Sequence, residues 1–149
     1  MKKIIGIFLV FCLVLQACDK DEAATKGFDF SSSIPPYVEL TSTTTRNVRP
    51  DTTLTFTFQM RTALQEVVTV YFDAMGGGLN LTNQTVVIDR NKLTASVNIK
   101  VPANAIVAPN TTATAVLTLV KAVTASGTQL TIGQKSTPEA QKVTINIKS

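Results

Sequence analysis

Thr53-Leu54-Thr55-Phe56-Thr57-Phe58-Gln59-Met60 decides the fold class. Leu54, Phe56, Phe58 and Met60 alternate with four polar residues, a period of two that sends successive side chains to opposite sides of an extended strand. The same period recurs outward along the chain. Val68, Val70 and Phe72 alternate with Thr69, Tyr71 and Asp73, while Ala95, Val97, Ile99 and Val101 alternate with Thr94, Ser96, Asn98 and Lys100. Near the C-terminal end Val143, Ile145 and Ile147 alternate with Thr144, Asn146 and Lys148. Residues 37–40, 84–88, 112–123 and 130–132 supply the remaining candidates, for seven or eight strands in all.

Between these runs stands turn chemistry: Arg49-Pro50-Asp51, Gly76-Gly77-Gly78, Asp89-Arg90-Asn91, Ala108-Pro109-Asn110, Ser126-Gly127 and Thr137-Pro138. No amphipathic helical pattern competes with it. Short alternating strands at this spacing predict an all-β chain, an immunoglobulin-like β-sandwich of seven to eight strands. With no Trp and no Cys pair in the domain, it is not an antibody-type domain.

The N-terminal segment is of another kind. Lys2 and Lys3 precede the uncharged run 4–15, and Gln16-Ala17-Cys18 closes it, the layout of an export signal. A spanning helix needs about 20 apolar residues, and Gln16 and Asp19 interrupt this run first. Leu15-Gln16-Ala17-Cys18 resembles the lipobox of bacterial lipoproteins. The resemblance implies removal of residues 1–17, a lipid on Cys18 and attachment to a membrane through it; two or more acyl chains, at about 0.8 kcal/mol per buried CH₂, anchor stably. Lys20-Asp21-Glu22 is similar to the export signal of Bacteroidetes surface lipoproteins, which implies the outer membrane, facing the cell exterior. Of the 2 cysteines, Cys12 leaves with the signal and Cys18 is consumed by lipid, so no disulfide is available to the mature chain.

Residues 18–33 are polar apart from a few alanines, Phe28 and Phe30, and are expected to be a flexible tether. Ile34-Pro35-Pro36 marks the start of a domain over 34–149, 116 residues long (149 − 33 = 116), an ordinary size for one core. The order of Tyr37-Val38-Glu39-Leu40, residues 54–60, 67–72, a Gly-rich loop, Val86-Val87-Ile88, residues 95–101, 115–120, Ile132-Gly133 and 143–147 resembles Calx-β domains. The resemblance implies an immunoglobulin-like sandwich, some members of which bind calcium through clustered acidic loops. This chain departs there, with Asn80, Asn83 and Ser136-Thr137-Pro138 at the corresponding places, so the fold is expected to carry over and the calcium site is not.

The residues exclude most chemistry. The chain has no His, and so lacks the usual general base and favoured zinc ligand. The acidic residues of the domain, Glu39, Asp51, Glu66, Asp73, Asp89 and Glu139, are scattered singly, whereas carboxylate catalysis needs a convergent pair. Asp73, beside the Gly-rich loop, reads either as one ligand of a cation held with backbone oxygens or as a solvated residue next to glycines that need positive φ. The second is favoured, because one carboxylate falls far short of the six to eight oxygens a hard cation takes. Gly76-Gly77-Gly78 lacks the Lys-Ser or Lys-Thr and the helix of a phosphate loop. Tyr71, opposite in facing to Phe72, is the best residue for a sugar contact, and equally a good outward strand former.

The chain carries +4, or +2 without Lys2 and Lys3 (4 − 2 = 2), and its basic residues are not interleaved with aromatics, which argues against nucleic acid. Asp51-Thr52-Thr53 resembles the glycosylation acceptor of Bacteroidetes exported proteins, which implies a sugar on Thr52. No enzyme, cofactor or metal is expected. The expected function is a non-catalytic binding or scaffold module of a cell-envelope assembly, with a protein partner. The alternatives are a purely structural envelope lipoprotein and a glycan-contacting accessory of polysaccharide uptake.

Overall fold

Each alternating run of the sequence is a strand. The computed structural model describes residues 35–134, 137 and 140–149, and Ile34–Ser149 form one compact unit. The expected signal segment, Cys18, Lys20, Asp21, Glu22 and the tether lie outside the described residues. In chain order the strands are β1 Tyr37–Leu40, β2 Arg46–Val48, β3 Thr53–Met60, β4 Val68–Gly76, β5 Leu79–Ile88, β6 Thr94–Lys100, β7 Thr112–Thr124, β8 Gln129–Ile132 and β9 Lys142–Lys148.

These nine strands make one hydrogen-bonded network, β2-β9-β7-β8-β1-β3-β6, with β4 on β7 and β5 on β4. It doubles over into two layers. In one, β3 lies antiparallel between β1 and β6. In the other, the order β5-β4-β7-β9-β2 runs across five strands. The inner faces meet in a single core, where Phe58 of β3 and Phe72 of β4 bring their rings to 5.5 Å between centroids. Val143, Ile145 and Ile147 are each 0% exposed, and burial of such side chains contributes about 1.5–3 kcal/mol apiece.

The count exceeds the seven or eight expected by one strand, β2, because the first strand is divided. β1 pairs with β3, and after residues 41–45 the chain continues as β2, parallel to β9 in the other layer. At the C-terminal end β8 and β9 occupy successive stretches of one edge of β7, and β8 also pairs parallel with β1. β2, with only three residues and no alternation to display, is not visible in the sequence pattern.

Crossing between layers leaves a backbone group to satisfy. The parallel β1–β8 pairing ends at Val38 and Ile132, so the Leu40 N–H, directed to the same side, lies past the end of β8. The Gln141 side chain fills the place. Its Oε1 accepts from Leu40 N at 2.8 Å, its backbone carbonyl accepts from Leu119 N at 3.0 Å, and the residue is 7% exposed. Gly133 (φ +71) passes against this amide, since a Cβ there would sit 3.0 Å from Gln141 Nε2.

Two bulges shape the five-stranded layer. Continued alternation from Ala115, Leu117 and Leu119 would bury Lys121. The pairing shifts instead, from Tyr71↔Lys121 to Phe72↔Leu119, so Val120 is the extra residue and the buried positions resume at Ala122 and Thr124. On the other side of β4 the pairing steps from Phe72↔Gln84 to Ala74↔Leu81, with Asn83 at φ 55, a left-handed conformation Asn tolerates better than most residues. The glycine loop is tighter than a long turn: Gly76 pairs with Leu79, leaving Gly77 (φ 52) and Gly78 (φ 78) as a two-residue hairpin of the kind that needs positive φ at both positions. β4 and β5 therefore run on to this turn, past the 67–72 and 84–88 expected.

Gln141→Leu leaves the Leu40 N–H buried without an acceptor, and is expected to lower stability by about 1–3 kcal/mol. Urea unfolding is the measurement: the midpoint falls while the slope m stays at its wild-type value.

Candidate functional site: the outer face of the five-stranded layer

The two outer faces differ in chemistry. On the three-stranded layer, Thr55 Oγ1 donates to Asn98 Oδ1 at 2.7 Å, Thr57 and Ser96 hydroxyls lie 2.8 Å apart, and Gln59 Nε2 donates to Glu39 Oε1 at 3.0 Å. These pairs follow from the β1–β3–β6 register, which sets polar residue opposite polar residue. The face satisfies itself with neutral cross-strand hydrogen bonds and one carboxylate–amide contact.

On the five-stranded layer the outward residues are mixed. β4 contributes Thr69, Tyr71, Asp73 and Met75, which alternate with the buried Val68, Val70, Phe72 and Ala74. The register places Val87 and Val123 beside Thr69, and Thr85 and Lys121 beside Tyr71. Val87 is 47% and Val120 44% exposed, although β-branched apolar residues usually seek the core. At the far end of the layer, Arg49 and Lys148 line a shallow hollow of about 260 Å³ with Asn47, Val48 and Ser149.

The residues singled out in the sequence do not converge on one point. Tyr71 is outward and half-buried, and the Lys121 ammonium stands 4.5 Å from its ring centroid, a cation–π contact of about 0.5–1 kcal/mol at such a site. Its position agrees with the strand reading, but the cation already occupies ring surface that a sugar would use. Tyr37, the other tyrosine, is buried at 8% exposure.

Asp73 sits at the β5 bulge. Its Oδ1 accepts from the Asn83 N–H at 2.7 Å, so the carboxylate holds the amide that the bulge leaves without a ladder partner. Thr52 is half-buried in the turn before β3, and its carbonyl accepts from Val101 N at 2.9 Å. The neighbouring Asp51 takes φ 66 and meets Lys100 Nζ at 2.7 Å, both side chains being largely exposed, so the pair adds little stability.

Glu66 is also tied into the scaffold, accepting from Ser126 N at 3.0 Å and from its hydroxyl at 3.3 Å. Among the described residues no three of His, Cys, Asp and Glu gather to hold a metal ion. Gln141 and Lys121 were not singled out in the sequence. Lys121 had a visible signal, since it falls on the buried phase of β7 unless a bulge intervenes; Gln141 had none, because its partner Leu40 lies 101 residues away.

Two layers around one core, with divided first and last strands, define an immunoglobulin-like sandwich, and its solved neighbours make it Calx-β-like. The structure is similar to that of an apo-form Calx CBD1 domain (TM-score 0.54, 7% identity), over 76% of this chain and 96% of that one. It is similar to CBD12 from CALX1.2 (TM-score 0.53, 8% identity) over 75% of this chain; the match spans 43% of that longer chain. At these identities the likeness is one of fold. No protein-family model matches the sequence, and no curated protein matches it.

Asp73→Ala removes the acceptor of the bulge amide and is expected to cost about 1 kcal/mol in thermal or urea unfolding. Millimolar calcium chloride is expected to leave the melting midpoint of the wild type unchanged. A rise that disappears in Asp73→Ala would instead place a cation at the bulge.

Proposed function

We propose that this protein is a lipid-anchored lipoprotein of the outer membrane, displayed outward, whose sandwich works by contact with a protein partner and not by catalysis. The anchor rests on the signal pattern, on Leu15-Gln16-Ala17-Cys18 and on the Lys20-Asp21-Glu22 that follows. The mode of action rests on one structural observation, the outer edge of β5. Among the described residues this ten-residue strand pairs only with β4, and Leu79–Ile88 contains neither a charge nor a proline. Edge strands are ordinarily guarded by such residues, because their unpaired N–H and C=O groups template further pairing. The bulge near Asn83 interrupts this edge, and the stretch beyond it, residues 84–88 with the exposed Val87, suits addition of a short strand from a partner, with main-chain hydrogen bonds for affinity and side chains for selectivity.

The asymmetry of polar partners supports the non-catalytic reading. Glu39, Glu66, Asp51 and Asp73 each hold a neighbour of the scaffold, and the chain has no His to act as a base. The glycan-contacting alternative loses ground to the Lys121 ammonium over Tyr71.

Labelling with palmitate tests the anchor: the wild type is expected to incorporate it and Cys18→Ser to lose it, and equal incorporation removes the address. Protease treatment of intact cells is then expected to release the domain. For the partner edge, a photo-crosslinking residue at Thr85 on β5 is expected to yield an adduct in cells, whereas one at Thr55 on the self-satisfied face yields none. Equal adducts from the two positions would exclude β5 as the contact.

A further inference from the structure

Cations of the five-stranded layer lie on its outer side toward both ends of β7. Lys121 lies beside Tyr71, and Lys148 lies across from Thr112 on β7, with Arg49 sharing the hollow at Lys148. Against these three cations β4 places one carboxylate on this side, Asp73, whose Oδ1 accepts from the Asn83 N–H. The opposite side is different: Lys100 is paired with Asp51 at 2.7 Å, Glu39 meets only the neutral amide of Gln59, and the rest of β3 and β6 is Thr, Ser and Asn. The five-stranded side thus carries an excess of cations that the three-stranded side lacks. Only the five-stranded side also exposes Val87, Val120 and the Tyr71 ring.

We infer that the outer face of the five-stranded layer is a docking surface for an anionic lipid bilayer, with Lys121, Lys148 and Arg49 toward the headgroups and Val87, Val120 and Tyr71 at the interface. Three features select this occupant. The charge is complementary to a negative surface, which attracts Lys and Arg over about a Debye length. Apolar and aromatic side chains set among cations are the composition that suits the headgroup boundary, where a Tyr ring and a Lys stem are part-buried and their polar ends stay wet.

The third feature is reach, and it rests on the lipid-anchor reading. Residues 18–33 number 16 (33 − 17 = 16), and a chain of that length extends at most to roughly 55 Å. The domain is thereby confined near the bilayer, and weak surface contacts act as an intramolecular second binding event. Docking in this way leaves the three-stranded layer turned to the medium.

The test separates this contact from the anchor. Residues 18–149 with Cys18→Ser carry no lipid and no signal segment, and the compact unit Ile34–Ser149 holds its own core. Sedimentation is measured with vesicles of phosphatidylcholine alone and of two parts phosphatidylcholine to one part phosphatidylglycerol. The protein is expected to sediment with the anionic vesicles only, and to be released by rising salt. Lys121→Gln and Lys148→Gln are each expected to lower partitioning roughly fivefold. Lys100→Gln, with the same loss of charge on the other layer, is expected to leave it unchanged. Arg49→Gln, at an exposed position outside the core, repeats the test where folding is not at stake.

Absence of sedimentation, equal sedimentation with both vesicles, or an equal effect of Lys100→Gln overturns the proposal. Capture by soluble polyglutamate as strong as by vesicles overturns it in favour of an acidic polymer. Because the tested protein lacks the lipid, loss of the palmitate result leaves these outcomes as they stand.

Discussion

A hydrogen bond from the Leu40 N–H to the Gln141 side chain holds the place where both ends of the domain change layers. β1 is anchored to β3 over three register pairs and to β8 over two, and past the end of β8 its backbone has no strand on that side. An unpaired buried N–H costs about 1–3 kcal/mol, a sizeable part of the 5–15 kcal/mol by which a domain is stable. Gln141 satisfies it while its own carbonyl accepts from Leu119 of the central strand, so one residue ties the first strand, the central strand and the start of the last. With the layers joined there, β1 passes into β2 and the sandwich closes on its core.

The second constraint is local to β4. Both flanking strands bulge next to Phe72, β7 at Val120 and β5 near Asn83, and Phe72 is the residue that meets Phe58 across the core. A bulge bends its strand, increases twist and re-aims side chains. Here the re-aiming is what sends Lys121 outward to Tyr71 and returns Ala122 to the core at 0% exposure. The chemistry of the outer face thus follows from how the core is packed behind it.

These features divide sharply in how far the sequence discloses them. Strands of seven or more residues with clean alternation, β3, β6 and β9, are readable because burial of one face forces a period of two. The ends of β4 and β5 are not, because Asn80, Thr82 and Asn83 continue an edge strand whose sides are both largely wet, and wet residues leave no hydrophobic phase to follow. β2 is held by register against β9, a tertiary relation that three polar-flanked residues do not encode locally. Of the candidate site, Tyr71 and Asp73 could be placed on the outward side of β4 from alternation alone. Their partners Lys121 and Asn83 could not, since each depends on a bulge that slips the phase by one residue. The cationic face, assembled from β2, β7 and β9, emerges only once strand order is known.

Carboxylates show why this sandwich keeps a Calx-β-like fold while its surface chemistry takes another course. A hard cation needs several oxygens free to turn toward it. In this domain Asp73 is spent on a bulge amide, Glu66 on the turn at Ser126, Glu39 on Gln59 and Asp51 on Lys100. Each keeps lone pairs to spare, but these bonds fix them at separate places on the scaffold, and among the described residues no three acidic or other metal-binding side chains gather. Acidic residues held apart by the bonds they make cannot converge on one ion unless the scaffold gives way.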